Sequence, residues 1–110
     1  MDFPLQPLRV PSGWLVSYNT FCEVDPSPAL GENAWMWFKQ DLLQAFNQRR
    51  GRLLDLGWYP DGDIAEGAFR VVVHAGDFRG DLLHRSQSRD RLAVAAEIER
   101  LFAEVSAGRL

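Results

Sequence analysis

The sequence predicts an α+β domain: an antiparallel sheet, a meander of about five strands, packed by one C-terminal helix. Three stretches carry that expectation. DLLQAFNQRRGRLLDLGWYP (41–60) sets two apolar runs around a polar link that closes on Gly51. AFRVVVHAG (68–76) is dense in β-branched residues. Residues 88–107 carry an apolar stripe at helical spacing, opened by a serine and stopped by Gly108.

Taken in order, residues 1–12 space Pro4, Pro7 and Pro11 among apolar residues. Proline lacks an amide donor, so this is an extended arm rather than a central strand, pinned to the body by Phe3, Leu5 and Leu8. After Gly13, WLVSYNTFCEV reads as a strand with Trp14, Val16, Tyr18 and Thr20 on one face and Leu15, Ser17, Asn19 and Phe21 on the other. Asp25-Pro26-Ser27-Pro28 ends it, and Gly31 and Asn33 keep the chain irregular. AWMWFK is too short for its period to decide; it is expected as a strand, or a short turn leading into one.

Residues 41–47 and 52–59 then form a hairpin, Gly51 taking the positive φ that its link demands. A single helix from Asn33 to Arg50 competes, because Ala34, Phe38, Leu42, Ala45 and Phe46 also fall near helical spacing; the hairpin is preferred. Residues 61–67 are a turn, and a second tight hairpin at 76–80 leads into DLLHRSQ. Ser88 is the expected cap of the last helix, with Asp90 favourable to its dipole. Leu92, Ala95, Ala96, Ile98, Leu101, Phe102 and Val105 form the face it lays on the sheet.

Composition narrows the function. A chain of 110 residues, 46% hydrophobic and 25% charged, fits one folded domain over 1–110. No apolar run approaches the ~20 residues of a membrane helix, and the opening MDFPLQPLRVPSG has neither the basic start nor the apolar core of a secretory signal. One cysteine, Cys22, leaves no internal disulfide; the expected setting is the reducing cytoplasm. The net charge is −3, concentrated in residues 1–81 with 11 acids against 7 bases. Direct nucleic-acid binding needs a dense basic face, so nucleic acid is not an expected partner; the charge leaves a basic protein partner open, although a mild negative charge ordinarily means only solubility.

Chemical signatures are thin. Cys22, His74 and His84 are the metal-ligand candidates, but no pair has ligand spacing; the two histidines could face each other across the 76–80 hairpin. Asp61-Gly62-Asp63 with Glu66 hints at calcium yet lacks the spacing of an EF-hand, and a solvated turn is preferred. Ser17 and Cys22 sit in no nucleophile elbow, and no glycine run opens a helix as a phosphate loop does. Arg79-Gly80-Asp81 is expected to be a hairpin corner. Neither enzymatic activity nor a cofactor is expected.

The aromatics are more informative. Thirteen, including Trp14, Trp35, Trp37 and Trp58, are many for a small core, and aromatic rings are favoured binding anchors. Trp58 and Tyr59 adjoin Asp55, Asp61, Asp63 and Glu66 in sequence, which makes these six the expected partner-binding patch. For any single ring, filling the core is the stronger expectation.

Two motifs also carry a resemblance. W-x-V-x-Y-N-x-F-x-x-x-D-P (from Trp14) and L-D-L-G-W-Y-P (from Leu54), within residues 8–74, resemble small bacterial immunity proteins of polymorphic toxin systems, including those of contact-dependent growth inhibition. The resemblance implies a cytoplasmic single domain that binds and occludes one cognate toxin domain, a basic nuclease among the candidates, as a monomer or weak dimer. It carries over no binding residue. The alternative is a small-ligand-binding or accessory domain with an apolar pocket between helix and sheet.

Overall fold

The computed structural model describes residues 2–110, and its elements grow from the local patterns just given. Five strands, β1 (Trp14–Asn19), β2 (Leu43–Asn47), β3 (Arg52–Tyr59), β4 (Ala68–Ala75) and β5 (Leu82–Ser88), form one antiparallel sheet in the order β1-β2-β3-β4-β5. The helix α1 (Arg91–Ser106) follows. This is the α+β meander with one C-terminal helix. The hairpin reading of 41–59 holds and the helical one does not: Gly51 adopts φ 63°, and Ala45, Leu54 and Leu56 alternate onto one buried face.

Cross-strand rows sort the two faces of the sheet. Val16–Ala45–Leu54–Val73–His84 and Asn19–Leu43–Leu56–Val71–Ser86 lie under α1. Tyr18–Gln44–Asp55–Val72–Arg85 and Leu15–Phe46–Leu53–His74–Leu82 lie on the opposite face, which no helix covers. The core is therefore one-sided. Phe21, Phe38, Trp58, Phe69 and Phe102 fill it, with Phe38, Trp58 and Phe69 in mutual edge or tilted contact at centroid separations of 4.8–6.1 Å.

Several expectations need correction. AWMWFK is the short turn and not the strand: Ala34–Trp37 is a 3-10 turn ahead of β2, which drops Ala34 and Phe38 into the core and turns Trp35 and Met36 outward. Ser88 does not cap the helix, because β5 runs through it. Asp90 is the cap, its carboxylate accepting from the amides of Leu92 (3.0 Å) and Ala93 (3.2 Å), while the Ser88 hydroxyl accepts from the Asp90 amide. The buried stripe is Val94, Ala95, Ile98, Leu101, Phe102 and Val105. At about 100° per residue, Leu92 and Ala96 point away from that stripe, and Leu92 is 61% exposed.

The strands also depart from strict alternation. Register shifts between Val16 and Tyr18, so Ser17 is extra, Tyr18 joins Leu15 on the open face and Asn19 joins Val16 beneath the helix. The β4–β5 register keeps the histidines apart, since Val73 and not His74 pairs with His84, and a second shift follows between Val73 and His74. His74 lies on the open face opposite Leu82, whereas His84 lies opposite Val73, with Nε2 3.5 Å from Glu97 of α1. They do not face each other. The Leu5 side chain of the N-terminal arm is exposed, so Leu5 holds the arm through its backbone bridge to Cys22 while Phe3 and Leu8 pack against the core.

Candidate functional site

The six expected partner-binding residues do not form one surface. Trp58 is fully buried among Phe38 and Phe69, and its indole N–H donates to the Asp63 carbonyl at 2.8 Å. It is core, not an anchor for a partner. Asp63 and Glu66 close the 61–67 turn on themselves, the Asp63 carboxylate accepting from the Glu66 amide at 3.0 Å. Asp55, Tyr59 and Asp61 do converge, at the β2–β3 end of the open face. Tyr59 is the point of convergence: burial first, then the charges of Asp55, Asp41 and Asp61, push its phenol up, and the Arg70 guanidinium opposes them.

Asp41, Tyr18, Gln44 and Arg70 complete the cluster. Sequence reasoning missed them because strand pairing brings Tyr18, Gln44 and Arg70 there and a local backbone event brings Asp41. Between Lys39 and Leu42 the chain leaves the strand line: the Trp58 amide donates to the Lys39 carbonyl (2.8 Å) and the Leu42 amide to the Leu56 carbonyl (2.9 Å). The Gln40–Asp41 step crosses directly over Gly57, where a Cβ would lie only 2.0 Å from the Gln40 carbonyl oxygen. Gly57 is thus the one residue type that admits the crossing. Its presence in the middle of a strand was the available signal.

Asp61 fixes the far side of the crossing. Its carboxylate accepts from the Gln40 amide (2.6 Å) and from Lys39 Nζ (3.1 Å), and these bonds, the backbone one first, hold its pKa down. Lys39 also lies over the Trp35 ring at 4.8 Å. The result is a shallow groove of about 270 Å³ lined by Tyr18, Lys39, Gln40, Asp41 and Asp61. Tyr18, 44% exposed, lines the groove, and Trp35, 47% exposed, adjoins it beneath Lys39. Gln44 continues the groove between Tyr18 and Asp41 toward the centre of the face.

Asp55 sits beside Gln44 in the central strand, and only 5% of it is exposed. Burial pushes its carboxyl up to about 6; Asp41 adds to the rise, and the Gln44 amide and the charge of His74 partly offset it. Its Oδ1 has no hydrogen-bond partner. Neighbouring Arg70 lays its guanidinium 4.2 Å from the Tyr59 ring centroid, and its Nε is likewise without a partner.

Comparison with protein-family models, with curated proteins and with solved structures yields no match.

Other candidate chemistry fares simply. Among the described residues, no group of three His, Cys, Asp or Glu side chains is placed to hold a metal ion, and no helix is long and apolar enough to cross a membrane. The Cys22 thiol, raised by burial, donates to the Thr20 carbonyl at 3.3 Å. Arg79 pairs with Asp77 at 2.8 Å in the tip of the β4–β5 hairpin, where Arg79-Gly80-Asp81 forms the corner. Between helix and sheet there is a crevice of about 120 Å³ beside Phe69 and Val94. Pockets for organic ligands span roughly 300–1,000 Å³, so this crevice falls short of the site the ligand-binding alternative requires.

Proposed function

We propose that the protein is an immunity protein: it binds a basic toxin domain and neutralises it by occlusion, without chemistry of its own. One observation carries this reading. Exposed Tyr18 lines, and exposed Trp35 adjoins through Lys39, a groove in which Asp41 and Asp61 outnumber the single base, Lys39, with Asp55 close beneath. Rigid rings that lose little entropy, placed around uncompensated acid, suit a basic protein surface better than a metabolite or a nucleic acid. The resemblance of residues 8–74 to immunity proteins points the same way. The cytoplasm, where a toxin domain would be met, belongs to the same proposal.

The mechanism is steric and electrostatic. Carboxylates speed the encounter with a positive surface, and the aromatic rims, once buried, slow dissociation. Asp61 is already committed to Lys39 and Gln40, so Asp41 is the groove carboxylate freer to act on a partner. The test is co-expression with the product of the adjoining gene, followed by affinity capture at low salt. The expected result is a stoichiometric basic protein, released by high salt and toxic when made alone. A folded protein that captures nothing with its neighbour present defeats the reading.

A further inference from the structure

We infer that Asp55 is a socket for an arginine side chain of the partner protein, entered along the Tyr18–Gln44–Asp41 groove. The inference rests on the binding reading above and assigns its central contact. Among the described residues, two buried side-chain polar atoms lack a hydrogen-bond partner, Asp55 Oδ1 and Arg70 Nε. Both belong to the face of the sheet that no helix covers. Unmet polar groups are rare in folded proteins because each forfeits its hydration with nothing in return. Here they are confined to one surface.

Asp55 has no need to be an acid for the fold. Its row neighbours are Gln44 and Val72, and Leu53 precedes it on the same face; an apolar residue would sit there with no desolvation cost. The nearby bases do not serve it either. Arg70 is turned onto the Tyr59 ring, and the His74 imidazole bonds to the Gly80 carbonyl at 3.2 Å. Gln44 supplies one amide donor to the carboxylate, and a donor for Oδ1 is what the site lacks. A guanidinium suits it best: it can donate to a carboxylate with two N–H groups and lie flat against the exposed Tyr18 ring, as Arg70 does on Tyr59. Asp41 at the entrance supplies attraction before contact.

The probe is a tetra-arginine amide peptide, titrated at low salt into carboxyl-labelled protein and followed by NMR. The expected result is a saturable shift of the Asp55 carboxyl and Tyr18 ring signals. Asp55→Asn weakens binding roughly tenfold, Asp63→Asn leaves it unchanged, and a tetra-lysine peptide binds less well. Equal binding to wild type and Asp55→Asn overturns the socket, as does a shift centred on Asp63 and Glu66. If Asp55→Asn does not fold, Asp55→Leu takes its place; if neither folds, the carboxylate is structural and the inference is wrong. A captured partner indifferent to Asp55→Asn removes the socket and leaves the binding reading. Peptide binding at Asp55 without any captured partner does the reverse.

Discussion

At the scale of single residues, the molecule's least comfortable group is Asp55. Burial raises its carboxyl from an ordinary 3.8 to about 6, so the folded state holds that proton more tightly than the unfolded chain does. Below about pH 4 both states are protonated and the acid costs nothing. Between about pH 4 and 6 the unfolded chain releases its proton first, and stability falls as the pH rises. Asp55→Asn cannot titrate. Its stability relative to wild type should therefore climb across that window and level off above about pH 7 at on the order of 1–3 kcal/mol, measured by urea denaturation at several pH values. A difference flat in pH would mean that the fold leaves the Asp55 carboxyl at its ordinary value. Trp35 is the opposite kind of residue: half exposed, with Lys39 over its ring and Gly62 beside it. Trp35→Ala should change stability by less than about 0.5 kcal/mol while weakening partner capture.

At the scale of elements, the crossing of Gln40–Asp41 over Gly57 builds the groove, and the helix cap is an independent support. A methyl group at Gly57 meets backbone rather than a movable side chain. Gly57→Ala should cost about 2–4 kcal/mol, displace residues 38–42 and perturb the Tyr18 and Tyr59 ring signals together. Asp90→Ala removes the acceptor of two first-turn amides and should cost about 1 kcal/mol without touching the groove, a contrast that thermal denaturation and NMR can resolve. Elements were also the most legible part of the sequence. β-Branched density gave β4, the Gly51 link gave the β2–β3 hairpin, and Gly108 gave the end of α1. Bulges were not legible. An extra residue such as Ser17 reverses which face follows it, and alternation counted along one strand holds no sign of where its partner slips. The register of the β4–β5 hairpin was equally hidden: Val73 rather than His74 meets His84, which misplaced the two histidines.

At the scale of the whole molecule, the sheet is covered on one face and bare on the other, and the candidate site lies on the bare face. The sequence placed Trp58 beside acids, but alternation sends it under the helix while Asp55 and Tyr59 face outward near Asp61. Adjacency in a strand is separation in space. Asp41 and Tyr18 could join the cluster only once the strands were paired, which is why that part of the surface was missed. The uncovered face also holds Leu15, Phe46 and Leu82, so apolar contact is available beside the acidic groove once a partner excludes water.

The most direct measurement is capture of the adjoining gene's product by three tagged forms of the protein at low salt. Wild type and a Glu104→Gln variant on the helix should retain it equally. A Tyr18→Ala/Asp41→Asn variant on the open face should lose most of it while remaining folded. Equal capture by all three, or by none, would contradict the claim that this bare face of the sheet is where the protein works.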